Sequence, residues 1–546
     1  YIFGYESDNP SYEFLITKIF GEVSSSNQNL ETLYTHNLEN AKTFFKDNLE
    51  AFDEDERVEK IETIYSKVTR HLMFNEYLIQ DDIDVYVAFE TMNNRGKKLS
   101  DLELMKNRLI YLSTLYKTNE NEKDKLRIQV NDCWKTVYHQ LGRSKTNPLN
   151  DDDFLQAHWI MYFRYSRKRG DDYINFLLND AFSPKKVLEQ VPVQVKVSEA
   201  KEVRDDWEDE EEDDETENEN GEVKYQSKLT IPEISKYAMS LRASAEHWYN
   251  TFNPVNNKQL TEKEQLYLDR LNRIGIAYFR PLIMSSFLAK DVTAKDRVKL
   301  FKAIERFIFL AFRLAQARGN YANSEFYNAA RELYYGESTI DEIVEQIEAR
   351  LAFTFNTDGS FKTTGFQEFI DNKFSYYQKN GFYGWSGLRY FLFEYKMNLF
   401  GKAKGGTQKI NWNKFVNLKD FVSIEHILPQ TPDKSCWKKN FKHFKPTELN
   451  GLTNTLGNLL ALSQPKNSSL QNDCYKDKRA DEDSTHGYFN GSYSEIRVAE
   501  MYDDWTSDII KERGIELLEF MEERWNIDLG KEAAKLQLLN LSFLEE

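Results

Sequence analysis

The run Val422-Ser423-Ile424-Glu425-His426-Ile427-Leu428-Pro429-Gln430 sets a carboxylate and an imidazole side by side in an apolar, strand-forming stretch that a proline ends. An unpaired carboxylate is costly to bury, so such a run holds Glu425 only if a metal or another cation meets it. Neighbouring side chains of a strand point to opposite faces, so Glu425 and His426 can share one site only where the strand bends or ends, and Pro429 supplies such an end. Farther on, Leu456-Gly457-Asn458-Leu459-Leu460-Ala461-Leu462 reads as a second apolar strand carrying one amide. Pro465-Lys466-Asn467-Ser468-Ser469-Leu470 then reads as the opening of a helix. Strand, strand and helix, each with oxygen or nitrogen donors, outline a small metal-dependent nuclease.

The remainder of the chain favours helices. With 546 residues, 40% of them apolar, there is material for two to four domains with cores of their own, and only 11 prolines and 23 glycines leave little scope for a turn-rich β architecture. Ser100 with Glu103 forms a capping-box pattern, after which Leu102, Met105, Leu109 and Leu112 recur at helical spacing. Val298, Phe301, Ile304, Phe307, Ile308, Ala311 and Leu314 trace a second such stripe in a middle region expected to be helical throughout. The longest apolar run, Phe307 to Ala317, is broken by Arg313 and falls short of the ~20 residues that span a membrane. Cys133, Cys436 and Cys474 lie far apart without C-x-x-C spacing, which argues against a disulfide framework or a zinc knuckle and points to a reducing cytoplasm. The chain begins with Tyr and shows no signal-peptide pattern, so it is expected to start inside a longer protein.

A formal charge of −17 is unusual for a protein that handles DNA, but the charge is unevenly placed. Twelve of the fifteen positions from Asp205 to Glu219 are acidic, a block expected to be a solvated loop. Between Lys402 and Lys445, ten lysines face only Asp420, Glu425 and Asp433. Lys438, Lys439 and Lys442 in that stretch suit DNA backbone contact, and equally suit a plain solvated surface. Asn94, Arg95 and Lys97, just ahead of the Ser100 cap, place amides and cations where a helix N-terminus favours an anion.

The order Glu425-His426-Ile427, Asn458, Asn467 resembles the HNH (ββα-metal) endonuclease motif. With Trp437, Asn472, Lys478, Trp505 and Arg513, it is similar to the nuclease domain of GmrSD-type modification-dependent restriction enzymes over roughly residues 386 to 528. Phe89-Glu90-Thr91-Met92-Asn93-Asn94-Arg95-Gly96 resembles a motif late in the other domain of that family, a ParB/sulfiredoxin-like domain that binds and hydrolyses nucleoside triphosphates. The leading Asp-Gly-Gln-Gln-Arg run of that domain is absent from the chain, so at most weak anion binding is expected of it. The fold implied is mainly α: a partial sensor domain over 1–125, a helical domain over 126–385, and a C-terminal HNH domain over 386–546.

The resemblance makes His426 the general base and Glu425 and Asn467 the ligands of Mg²⁺ or Mn²⁺, with Asn458 bracing the loop between the strands and counted with His426 as catalytic. Such hard oxygen donors suit these ions. Lys478 and Arg479 would contact phosphate. Because many HNH motifs carry Asp where this chain has Glu425, that residue could instead orient His426 from behind. His443 and His486 also fall in the nuclease region, while His36, His71, His139, His158 and His247 read as surface or core. The function implied is a cytoplasmic, metal-dependent endonuclease of an anti-phage restriction system, regulated by nucleotide and acting on modified or foreign DNA, with a homodimer possible and no membrane partner. The rival is a non-catalytic DNA-sensing or assembly protein on an HNH scaffold, and an RNA-directed nuclease is a third reading.

Overall fold

The computed structural model describes residues 12–23, 33–73, 99–144, 148–192, 225–255, 257–356, 360–402, 423–480 and 487–545. Asn94, Arg95, Lys97, His486, the acidic block 205–219 and several lysines between 404 and 419 lie outside them. The chain forms two compact units, Tyr1–Thr251 and Phe252–Glu546.

The first unit contains α1 (Leu33–Glu50), α2 (Glu54–Ser66), α3 (Asp101–Leu115), α4 (Glu120–Leu141), α5 (Asp151–Tyr162) and α6 (Ile231–Phe252). The capping box at Ser100 and Glu103 is present, and Leu102, Met105, Leu109 and Leu112 are fully buried along α3. Trp134 of α4 donates from its indole to the Leu102 carbonyl, fixing the register of the two helices. His158 of α5 is a core residue: its Nε2 lies 2.9 Å from Ser240 Oγ among Tyr162 and Tyr237, and burial drives its pKa down to about 3. The middle region is not helical throughout, because β1 (Gln190–Pro192) pairs antiparallel with β2 (Tyr225–Ser227). These strands lie on either side of residues 193–224 in sequence, and their short ladder satisfies the backbone groups of 190–192 and 225–227.

The second unit runs through α7 (Glu262–Ile274), α8 (Arg280–Leu288), α9 (Ala294–Phe307), α10 (Asn323–Tyr335), α11 (Ile340–Arg350), α12 (Thr363–Lys373) and α13 (Leu388–Lys402). After these come β3 (Ser423–His426), α14 (Ser435–Phe441), α15 (Pro446–Asn454), β4 (Leu459–Leu462), α16 (Gln464–Leu470), α17 (Tyr475–Arg479), α18 (Tyr493–Met501) and α19 (Ser507–Trp525). The apolar stripe from Phe301 to Leu314 is buried as expected, although the backbone changes from α to π pitch at Ile308. Among the described residues no helix is long and apolar enough to cross a membrane.

The expected boundary near 385 is not a break. Phe309 stacks on Trp525 at 3.6 Å and the Trp385 ring lies 5.8 Å from that of Phe391, so both sides of that point share one core. A buried charge network reinforces the junction. Glu394 on α13 meets Arg273 Nη1 at 2.7 Å, Arg270 Nε at 3.0 Å and Arg524 Nη2 at 3.2 Å. Glu305 on α9 meets the same Arg524 at 3.1 Å and accepts from the Tyr390 hydroxyl at 2.6 Å and the Trp525 indole at 3.1 Å. Burial pushes the Glu394 carboxyl up, but the three guanidinium groups outweigh it and hold its pKa below the ordinary range. Arg524→Ala leaves both acids under-compensated, so it is expected to destabilise the chain by about 3–5 kcal/mol, the usual cost of stripping one partner from a buried pair. Urea denaturation followed by tryptophan fluorescence measures it.

Candidate active site around His426

β3 and β4 pair antiparallel, with Glu425 opposite Leu460 and His426 opposite Leu459. Leu456–Asn458, expected as the start of the second strand, is a 3-10 turn, and β4 begins only at Leu459. Close packing explains the turn. A Cβ on Gly457 would come within 2.1 Å of the Ile510 carbonyl oxygen on α19, so only glycine lets the turn lie there. Arg513 of α19 donates to the Gly457 and Leu459 carbonyls at 2.5 and 2.9 Å and so holds the entry to β4.

Asn458 is fully buried and every polar atom of its side chain is engaged. Oδ1 accepts from the Leu428 N–H at 2.7 Å and the Trp505 indole at 3.0 Å, while Nδ2 donates to the Leu428 and Thr453 carbonyls at 2.9 and 2.8 Å. Asn458 therefore braces the exit of β3 just before Pro429. So buried and so committed, it cannot touch substrate, and its place among catalytic groups is corrected to a positioning role.

The strand separates the two residues that most marked the sequence. Glu425 is buried with its Oε1 2.5 Å from Lys478 Nζ and 3.3 Å from the Tyr488 hydroxyl. Lys478, fully buried, also donates to the His426 and Ile427 carbonyls at 3.2 and 3.1 Å. Burial raises the Glu425 pKa, with Lys478 offsetting only part of the rise, and burial lowers that of Lys478. Asn467, on α16, donates to Ser423 Oγ on the same face of β3 as Glu425.

These contacts correct three expectations. Lys478 is the cation that buried Glu425 requires, and without exposed surface it is not a DNA contact. Glu425 does not fit as a metal ligand here, because an ammonium already sits where a divalent ion would share its carboxylate oxygen. Among the described residues no group of three His, Cys, Asp or Glu side chains gathers to hold an ion. Arg479 turns the other way, donating to the Ala499 carbonyl at 2.8 Å, pairing with Asp503 at 3.0 Å and lying over Phe489. Lys438, Lys439 and Lys442 are exposed at α14 and its C-terminal end. His443 is exposed and its ring lies tilted against that of Phe444.

Cys436 and Cys474 are joined in a disulfide despite their separation of 38 residues, because α14 and the start of α17 meet. Trp437 Nε1 donates to the Asn472 carbonyl and Asn472 Nδ2 to that of Thr431 at the same junction. The bond removes the case for a reducing compartment that rested on cysteine spacing.

His426 lies on the opposite face, half-buried, where Asn454 Oδ1 stands 3.2 Å from its Nε2 and the Tyr383 ring 4.6 Å from its own. The Asn454 amide is oriented by Asn450, whose carbonyl and Oδ1 accept from Nδ2 at 3.2 and 3.0 Å. With Oδ1 facing the imidazole, this 3.2 Å contact outweighs the 3.5 Å approach of the Gln430 amide nitrogen to the same atom and favours the tautomer with the proton on Nε2 and the lone pair on Nδ1. Among the described residues nothing bonds to Nδ1. Burial depresses the His426 pKa to about 4; Asn454 opposes the shift and the Lys478 charge adds to it.

Asn454 and Arg389 were not assigned roles by their sequence. Arg389, at the start of α13, is half-buried, and its Nη1 is buried with no partner among the described residues. Burial lowers its pKa, and nearby Tyr383 offsets part of that loss. An arginine between Leu388 and the apolar run from Tyr390 to Phe393 was the available signal. A buried guanidinium nitrogen without a hydrogen-bond partner is costly, and an anion is the kind of group that would satisfy it.

Residues 366–520 match the family model described as GmrSD restriction endonucleases, C-terminal domain. This part of the chain belongs to that family. No curated protein matches the chain. Within the GmrSD domain the match takes in β3, β4, the turn that Asn458 fixes, and both His426 and Arg389.

The depressed pKa sets a pH dependence. A base is active when unprotonated, so its rate falls as pH drops through its folded pKa. For any His426-dependent hydrolysis, kcat/KM is expected to be flat between about pH 6 and pH 8, with its acid limb well below the ordinary imidazole value of 6.5. Half-loss of rate near pH 6.5 would show that the imidazole is not buried as described.

Proposed function

We propose that the GmrSD domain is an HNH-type DNA endonuclease in which His426 is the general base and Arg389 meets the scissile phosphate. The observation that carries this reading is the His426–Asn454–Asn450 chain, which prepares one imidazole nitrogen to accept a proton and leaves the other to hold the ring. The family match supports the reaction class. Hydrolysis of a phosphodiester needs a deprotonated water, a counter-charge for the extra negative charge on phosphorus, and a proton for the departing 3′ oxygen. Nδ1 of His426 takes the water's proton as its oxygen forms the new P–O bond. The guanidinium of Arg389 gives charge-assisted hydrogen bonds to the phosphate oxygens as that charge grows. Solvent returns the proton to the 3′ oxygen. Asn458, Arg513 and the Glu425–Lys478 pair hold the strand from which His426 projects.

The Mg²⁺ or Mn²⁺ expected of Glu425 and Asn467 has no fitting donor set in this arrangement, so no step is assigned to it. We take the substrate to be DNA foreign to the cell, as the restriction family implies, with Lys438, Lys439 and Lys442 supplying sequence-independent backbone attraction. The acceptor role of Nδ1 and the unpaired Arg389 favour this over the non-catalytic reading, since a scaffold has no use for either.

His426→Ala is expected to lower nicking of supercoiled plasmid by roughly 10²–10⁴-fold with an unchanged thermal melt, the range for loss of a general base. Arg389→Gln should lower kcat on the same plasmid at unaltered His426 chemistry, and Arg389→Lys should recover only part, because a lysine lacks the two-pronged geometry. Wild-type nicking by folded His426→Ala would exclude this site as the catalytic one.

A further inference from the structure

A cavity of about 530 Å³ opens beside His426, and the GmrSD reading gives it no occupant. Asn454 and Gln430 form one side, and Gln430 Nε2 is also 3.5 Å from His426 Nε2, so the cavity and the imidazole share a wall. Ser375, Tyr376 and Lys379 of the turn 375–379 line the cavity as well. Lys379 N and Gln378 N both bond the Ser375 carbonyl there, and Lys379 adopts a left-handed φ of 50°. A non-glycine residue in that region is strained, and such strain persists where the surroundings over-determine it. The turn presents the Tyr376 ring, 78% exposed, with Lys379 Nζ 5.2 Å from its centroid. The ammonium lies over the ring, the Tyr377 ring meets it edge-to-face at 5.4 Å, and the rest of the tyrosine is open to solvent.

The lining has a distinctive chemistry. Apolar surface comes from Phe374, Tyr376, Pro446 and Leu449, and the polar surface consists of amides and hydroxyls, with Lys379 as its one charged residue and no carboxylate at all. Amides with paired donor and acceptor read the edges of nucleobases, a tyrosine face stacks on them, and a lone lysine suits the attached phosphate. The volume lies within the range of small-ligand pockets. We propose that this cavity is a subsite for one unstacked nucleotide of the strand being cut, its base on Tyr376, its edge toward Asn380 and Asn450, and its phosphate toward Lys379. This rests on the reading of His426 as the hydrolytic centre. Seating a neighbouring nucleotide out of the stack would draw the scissile phosphate to His426 and favour DNA whose bases leave the helix easily.

The test uses the full chain and the fluorescent nucleotide 2-aminopurine deoxyriboside 5′-monophosphate, whose emission falls when its base stacks. Saturable quenching is expected, reversed by excess deoxycytidine monophosphate but not by deoxyribose 5-phosphate. Tyr376→Leu should weaken binding about tenfold, in line with loss of one base–aromatic stack. Lys379→Gln should weaken the monophosphate more than the free nucleoside. The proposal is overturned by absence of saturable quenching, by equal affinity in Tyr376→Leu, by competition from deoxyribose 5-phosphate alone, or by displacement with a hexose in place of a nucleotide. Plasmid nicking separates this from the broader reading. A chain that binds the nucleotide but never cuts DNA retains the subsite and loses the nuclease, whereas one that cuts with an unchanged KM in Tyr376→Leu does the reverse.

Discussion

A carboxylate buried in a strand has to be answered by a cation, and in this protein the answer is Lys478. Its ammonium reaches Glu425 and two backbone carbonyls at the end of β3, so a single side chain compensates the charge and satisfies the strand's last acceptors. Because Glu425 is turned inward to that partner, the alternation of the strand turns His426 outward. Two adjacent residues that read together as one site divide into a buried support and a working face. Removing either charge alone would strand the other in a low-dielectric interior.

Around that pair the surrounding elements fix the direction of the chain instead of contributing chemistry. Asn458 ties the β3 exit to Trp505 and Thr453, and Arg513 ties the turn before β4 to α19. The disulfide between Cys436 and Cys474 joins the segment after β3 to the helix that carries Lys478. The Glu305–Glu394–Arg524 network anchors the other end of α19 to α9 and α13. Arg389 sits on that same α13, so one helix carries both Glu394 of the buried network and the guanidinium proposed to meet phosphate.

Much of this arrangement was legible in the sequence because it obeys local rules. The Ser100 capping box and the stripe after it depend on spacing alone, and both formed as read. The order of β3, β4 and α16 followed from apolar runs ended by Pro429 and opened by Pro465. What remained hidden depended on distance in sequence. Nothing local to Lys478 says that it lies against Glu425, 53 residues away, and so it read as a phosphate contact. Cys436 and Cys474 lacked a recognisable spacing, yet folding brings them together. Asn454 looked like one amide among several until the Asn450 contacts fixed its orientation. The division near residue 385 also failed, since the start of the resemblance there marks no break in the aromatic core around Trp525.

The measurement that tests this division of labour most directly is plasmid nicking by the double variant Glu425→Gln/Lys478→Met. Replacing a buried ion pair by neutral groups of similar volume is often close to neutral for stability, while the two carbonyls that Lys478 leaves unpaired cost a few kcal/mol, so a thermal melt accompanies the assay and only the folded variant is scored. If Glu425 is structural, it should nick plasmid within about tenfold of the wild type, far above the ~10²–10⁴-fold loss that accompanies removal of a general base. A folded double variant that falls to the level of His426→Ala would contradict the account, showing that the Glu425 carboxylate takes part in the chemistry itself.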